Sequence, residues 1–370
     1  MMTLTDTSTI FKTMNTSKRL LSLDILRGIT VAGMILVNNG YGESFEMLEH
    51  SKWNGMTPCD LVFPFFLFIM GVSTCFSLSK CGFRPSPPVI WRVVRRTLLL
   101  FSIGLAINWF DHAIEGDFLC FDHLRVWAVL QRIALCYGIV SVFVLTVNHR
   151  WILPAIVLLL VVYSIILLCG NGYAEDSTNI LARVDLHVFG YDHLYHKSPV
   201  DPEGLLGTIS SVAHVLIGFY CGLLIKRRDA IGDKVLSLFF VGAVLALGGY
   251  LLSYGLPLNK RIWSPSYVMV TCGMASSLLA LLMTVIDIRG HRRWTTFFQV
   301  FGINPLFLYV ASEVFAILFG AWGVSNAVFE GIHSVIAHPQ TASLCYALSF
   351  VAFNFLLGYI LYRRHIYIKL

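Results

Sequence analysis

Between Glu49 and Ser73 the chain reads EHSKWNGMTPCDLVFPFFLFIMGVS, with His, Lys, Trp, Asn and Asp inside a dozen positions and then an almost unbroken apolar run. His50 is the member of that group suited to taking or giving a proton near neutral pH. Neither His50 nor Asn54 caps a helix in an obvious way, which leaves them to chemistry or to incidental loop surface. Thr57-Pro58-Cys59-Asp60 reads as a helix start, with Thr as N-cap, Pro at the first helical position and an acid at the third. That reading accounts for Thr57 and Pro58 and only partly for Asp60. Trp53 has the position of an interfacial aromatic anchor.

Further polar residues interrupt the apolar segments, where an ionisable group costs at least roughly 2.5–3.5 kcal/mol. Asp24 and Arg27 are three apart and can pair on one helix face. Asn38, Asn39 and Gly40 end the first segment. Gln131 and Arg132 stand in WAVLQRIALCY, and Asn304 and Glu313 in FGINPLFLYVASEVF, where Pro305 is placed to break the helix. Two readings stay open: a polar cavity through a helical bundle, or a set of structural pairs such as Arg132 with Glu313. His193 and His196 in DHLYH, together with His187, offer a thin metal-ligand pattern. Structural zinc wants four protein ligands and catalytic zinc three plus water, and no metal is expected. Asp201-Pro202 reads more simply as a helix start. The nine cysteines lack C-x-x-C spacing; most fall inside apolar segments as small hydrophobes, and only Cys120 and Cys169 lie where they could pair.

The elements that must position these residues are membrane spans. The 370 residues are 56% hydrophobic and 13% charged, with a mean hydropathy of +0.72, whereas soluble domains carry roughly 25% charged residues. The pattern predicts an all-α, polytopic membrane protein with about ten spans, near 21–40, 59–79, 91–110, 125–147, 151–169, 206–225, 234–254, 266–286, 296–319 and 341–362. The first segment follows Lys18-Arg19, carries Asp24 and Arg27 and lacks a small-residue cleavage site, so it is expected to be a retained helix and not a signal peptide. Lys and Arg concentrate at both ends of the chain and in alternate connections, including Arg92, Arg95, Arg96, Lys226, Arg227, Arg228, Arg289, Arg292 and Arg293. That bias puts both termini in the cytoplasm and His50 on the other side. It also explains the formal charge of +6 without nucleic acid. The expected organisation is a cytoplasmic segment, 1–20, and one membrane domain, 21–370, with non-cytoplasmic connections at 41–58 and 170–205. The second of these is long enough to suggest function.

SLDILRG (22–28), VNNG (37–40), HSKWNGMTPCDLVFPFFLFIMG (50–71), VLQR (129–132), DHLYH (192–196), DPEGLLGTISS (201–211), NKRIWSPSYV (259–268) and GINPLFLYVASEV (302–314) follow one another along the chain. In that order they resemble the motifs of the heparan-α-glucosaminide N-acetyltransferase family of membrane acetyltransferases, and the chain looks like a compact bacterial-type member. The resemblance implies transfer of acetyl from cytoplasmic acetyl-CoA to the amine of a glucosamine-type sugar across the membrane. It places the family's catalytic histidine on His50, its following acid on Asp60 and its asparagine on Asn38, with Asn39 as a rival. Trp53, Asn54, Arg132, Asn304 and Glu313 become candidates for binding substrate or cofactor. Where the animal enzyme has a histidine before the ninth-span glutamate this chain has Ser312, and the large lumenal N-terminal region of that enzyme is expected to be missing. A bacterial inner membrane, with His50 on the periplasmic side, and a homodimer are the matching expectations. The alternatives from the residues are an amino-sugar or other solute transporter and an O-acetyltransferase of surface glycans.

Overall fold

The computed structural model describes residues 20–195 and 198–368, and among these residues there are helices and no strands. The helices are α1 Leu21–Asn38, α2 Val62–Ser79, α3 Pro87–Ile114, α4 Val129–Thr146, α5 Ile152–Cys169, α6 Ile180–Phe189, α7 Gly207–Arg227, α8 Ile231–Leu252, α9 Pro265–Leu282, α10 Thr295–Ile303, α11 Pro305–Ala321, α12 Val324–His333 and α13 Pro339–Arg363. A 3₁₀ turn, Pro58–Leu61, leads into α2, and a π-turn, Met283–Ile288, extends α9.

All ten expected spans are helical. Eight helices are long and apolar enough to cross a membrane, or nine if the bent pair α10–α11 is one span. The expected third span is α3, whose first turns carry Arg92, Arg95 and Arg96, and it is not among the eight. The ninth is broken where the sequence places Asn304-Pro305: proline has no N–H to give and disfavours helix at the preceding residue. The axes of α10 and α11 differ there by 84°. The connections expected as loops hold two short helices, α6 and α12, the first started by Asn179, whose side chain accepts the Leu181 N–H at 2.9 Å.

α2, α4 and α7 form the buried centre, with α9 against α7 and α8 outside it. The crossing of α2 and α7 depends on glycine. A Cβ at Gly71 of α2 would lie 2.2 Å from the Val215 carbonyl oxygen, and one at Gly218 of α7 would lie 2.2 Å from that of Phe68. The two backbones thus touch directly, the packing that association in lipid favours. α5 and α8 turn Val157, Leu158, Ile165, Leu236, Phe240 and Leu247 outward, as lipid-facing helices require.

Candidate functional site

The helix start read from Thr57-Pro58-Cys59-Asp60 is a capping box. Asp60 is fully buried, and its Oδ2 accepts three bonds: from the backbone N–H groups of Ser51 (3.1 Å) and Thr57 (3.0 Å) and from the Thr57 hydroxyl (3.1 Å). Oδ1 faces His50 Nδ1 at 2.8 Å and Lys260 Nζ at 3.4 Å. One carboxylate thereby folds the 50s loop over the mouth of α2 and grips the imidazole. The cap and a role beside His50, separate readings of Asp60 in the sequence, are one arrangement.

This bonding sets the tautomer. A carboxylate surrounded by donors takes a proton from none of them, so Nδ1 carries the ring N–H and Nε2 keeps its lone pair. The His50 side chain is 49% exposed. Lys260 Nζ lies 3.1 Å from Nε2 and 2.9 Å from Nδ1, while the buried Cys59 thiol packs 3.0 Å from Nδ1. Tyr267 closes the floor, its hydroxyl donating to the Asp60 carbonyl at 2.5 Å.

Lys260 is the site residue that the sequence reading passed over. It comes from the turn between α8 and α9, 210 positions from His50, and that turn is rigid. Asn259 accepts the Ile262 N–H at 3.2 Å and donates to Asn54 Oδ1 at 3.3 Å. The Leu258 carbonyl takes the Gly55 N–H at 2.7 Å. Trp263, nearly wholly buried, sits at φ +52°, a left-handed conformation that a bulky residue adopts only when its surroundings impose it. The signal available beforehand was a lysine inside NKRIWSPSYV, on a face of the protein otherwise poor in bases.

The other candidates are distributed as follows. Trp53 is buried, not an anchor at the bilayer rim: its indole donates to the Tyr173 carbonyl at 2.8 Å and packs with Tyr163, Leu167 and Ile262, pinning the 50s loop beneath the 170–205 connection. Asn38 donates to Glu313 at 3.5 Å, and Asn39 donates to the Ile35 carbonyl of its own helix at 2.8 Å. No hydrogen bond among the described residues joins either to His50. The Arg132–Glu313 pair, an example of the structural pairing left open by the sequence, is not made among the described residues. Arg132 is fully buried, donates to the Gly204 carbonyl at 2.8 Å and lies 5.3 Å over the Trp263 ring, whereas Glu313 bonds Asn38 and Tyr309. Asn304, at the helix break, is taken up by the C-terminal tail, donating to Ile366 O and accepting from Ile368 N, both at 2.9 Å. His193 Nδ1 donates to the Leu124 carbonyl, 2.7 Å away; His196 lies outside the described residues. All nine cysteines are free, with Cys120 buried and Cys169 exposed.

A cavity of about 250 Å³ runs between α1, α2, α3, α4 and α11. Arg27, Ser73, Thr74, Arg96 and Tyr309 supply its polar lining and Leu130 and Ile133 part of its apolar wall. Arg27 is held by Ser73 Oγ at 3.0 Å and the Gly302 carbonyl at 3.2 Å; Arg96 lies over the Tyr137 ring at 4.6 Å.

Fold and site define a polytopic, all-helical membrane protein with a histidine–carboxylate–lysine cluster where a span meets its loop. The family model described as heparan-alpha-glucosaminide N-acetyltransferase, catalytic, matches residues 19–191. The heparan-alpha-glucosaminide N-acetyltransferase of Homo sapiens is 30% identical in an alignment covering 95% of this chain and 60% of the relative. That of Mus musculus is 27% identical, over 96% of this chain and 61% of the relative. The chain is thus similar to the family's catalytic part over residues 19–191 and to these relatives over nearly all of its own length; it spans about 60% of the length of the relatives it matches.

Proposed function

We propose that this protein moves an acetyl group from acetyl-CoA, entering from the cytoplasmic side, to the amine of a glucosamine-type sugar on the opposite side, with the chemistry at His50. The observation that carries this reading is the His50–Asp60–Lys260 cluster, a half-exposed imidazole whose Nδ1 is held by a buried carboxylate while its Nε2 faces the Lys260 ammonium at 3.1 Å.

The acceptor amine must shed a proton to attack the thioester carbonyl. Nε2 takes that proton as the N–C bond forms and the C–S bond breaks, and returns it to the departing CoA thiolate. Asp60 holds the ring in the required tautomer and balances the imidazolium. Lys260 supplies positive charge to the carbonyl oxygen as it becomes anionic, and Asn54, tied to the same turn, stands on the rim. If His50 instead carries the acetyl group, the same Nε2 is the nucleophile and kinetics are ping-pong. The two routes separate by whether acetyl-CoA alone releases CoA and labels His50.

The cavity lined by Arg27 and Arg96 suits the donor: two guanidinium groups for phosphate oxygens beside an apolar wall for a thin pantetheine arm. Asn38 and Glu313 are proposed to belong to the polar path beyond Tyr309. With Lys and Arg biased to alternate connections, a bacterial inner membrane would present His50 to the periplasm. One observation favours a second reading. The span broken at Asn304 resembles the discontinuous helices of transporters, which would carry the amino sugar without any acyl donor.

Sealed vesicles containing the purified protein separate these readings. With acetyl-CoA outside and glucosamine enclosed, N-acetylglucosamine should appear inside, and omitting acetyl-CoA should leave enclosed glucosamine unchanged and retained. Acetyl-CoA-independent efflux of glucosamine with no acetylation would make the transporter the better account.

A further inference from the structure

The connection after α3 carries a cluster that the proposed reaction does not use. His112, in the last turn of α3, Asp117 and His123 bring one ligand atom each to within 4.8 Å of one another. His123 Nε2 lies 2.8 Å from Asp117 Oδ2, and the rings of His112 and His123 meet edge to face with centroids 5.1 Å apart.

The backbone frame, and not the side chains' mutual attraction, holds them there. α3 ends by reversing at Gly116, φ +97°, where the Gly116 N–H bonds Ala113 O and the Asp117 N–H bonds His112 O, each at 3.1 Å. This helix-end motif turns Asp117 back toward His112. Two side chains of α3 then fasten the rest of the connection: Trp109 Nε1 donates to Phe118 O at 3.1 Å and Asn108 Nδ2 to Arg125 O at 2.7 Å. The fully buried Cys120 anchors the short turn whose end is His123, with the His123 N–H on the Cys120 carbonyl at 3.1 Å. Three ligand-type side chains from twelve residues of chain therefore converge on a pre-set scaffold.

The local charge favours a cation. Asp111, Glu115, Asp117 and Asp122 fall in this stretch, and between Thr97 and Leu124 there is no lysine or arginine. The nearest base in sequence, Arg125, is committed to Asp201 at 2.8 Å and Glu203 at 3.0 Å. Two imidazoles with one carboxylate suit a borderline-soft divalent ion and not magnesium or calcium, which take oxygen ligands. Around tetrahedral zinc, with bonds of roughly 2.0–2.2 Å, ligand atoms stand about 3.3–3.5 Å apart. The present separations, 2.8 Å for one pair and up to 4.8 Å within the group, bracket that spacing. His112 is half-buried and the other two are exposed, so small rotations close the site.

We propose that His112, Asp117 and His123 bind one divalent transition-metal ion of the zinc class, with water completing its coordination. The ion clips the end of α3 to the connection that delivers Leu124 and Arg125. Those two residues hold the other long connection, Leu124 through His193 and Arg125 through Asp201 and Glu203. The ion thus fastens these two connections to one another, and its binding does not depend on the acetyltransfer reading.

The test uses the intact chain in detergent micelles, stripped with a chelator and titrated with Zn²⁺ while stoichiometry and the thermal midpoint are followed. One saturable equivalent should bind and raise the midpoint. Asp117→Asn, nearly isosteric and able to keep the loop's shape, should weaken that binding at least tenfold, and the His112→Ala/His123→Ala double variant should abolish it. His338→Ala, at an exposed histidine outside the cluster, should leave it unchanged. Co²⁺ in place of Zn²⁺ should give visible absorption bands in the wild type and not in the double variant. No saturable binding to folded wild type, or an equivalent and a midpoint shift that persist in both cluster variants, would overturn the proposal.

Discussion

Asp60 and Asp201 are both buried carboxylates paired with a base close to the start of a helix, and they differ in where their hydrogen-bond chains end. Asp201 takes Arg125 Nη2 at 2.8 Å, the Glu203 N–H at 2.9 Å and the Tyr195 N–H at 3.1 Å. Arg125 reaches on to Glu203 and lies 4.8 Å over the Tyr195 ring. Every partner is another part of the same fold, and the cluster is a closed staple across two connections. Asp60 is equally well satisfied on Oδ2, but its Oδ1 leads to His50, half exposed, whose Nε2 faces the Lys260 ammonium at 3.1 Å. A buried charge whose partners close on themselves stabilises the fold; one that ends at a solvent-facing imidazole holds a reactive atom ready.

If that contrast is right, damage to the two clusters should separate stability from rate. Arg125→Met leaves Asp201 and Glu203 facing each other without their cation, and should lower unfolding stability by about 3 kcal/mol or more. Thermal unfolding in micelles should record that loss while the rate per folded molecule stays within twofold of wild type. A rate loss beyond twofold in folded protein would merge the two clusters functionally.

Asp185 is a charged neighbour of this staple. It is buried, its Oδ1 accepts the Leu205 N–H at 2.9 Å, and burial pushes its carboxyl from 3.8 up to about 6. The folded state therefore holds this proton more tightly than the unfolded chain. The stability it contributes is full below about pH 4 and is lost as pH rises through about 6, a difference of roughly 3 kcal/mol. Asp185→Asn should remove this part of the pH dependence, so that its stability relative to wild type rises between pH 4 and pH 7. A constant difference across that range would contradict the assignment.

At the open cluster the smaller effect is expected from Lys260. Lys260→Met should lower kcat about 10- to 50-fold, with KM for the sugar changed much less, because the ammonium is proposed to act on charge that develops during transfer. Lys260→Arg should recover part of the loss. A rise in KM at unchanged kcat would make Lys260 a binding residue instead.

Much of this was legible in the sequence where local rules apply. The spans followed from hydropathy, the α10–α11 break from Asn304-Pro305, and the start of α2 from Thr57-Pro58 and Asp60 at the third helical position. His50 stood out as the loop histidine without a capping task. What escaped depended on distant parts of the chain. Lys260 reaches His50 only because the turn around Asn259 docks on the 50s loop, and no spacing encodes a contact across 210 positions. Arg132 and Glu313 were reasonable partners by charge, yet each found a nearer polar group, a carbonyl for Arg132 and an amide and a phenol for Glu313. Asn304 has the residue type of a site and the task of binding the tail.

The acetyl-transfer chemistry is proposed to reside at His50 Nε2. Transfer from labelled acetyl-CoA to glucosamine, measured for wild type and His50→Gln in the same micelles with acetyl-CoA binding followed in both, tests it most directly. The wild type should transfer, and the variant should bind the donor with unchanged affinity while its rate falls about 10³-fold or more. A folded His50→Gln protein that kept more than about a tenth of the rate would place the chemistry elsewhere.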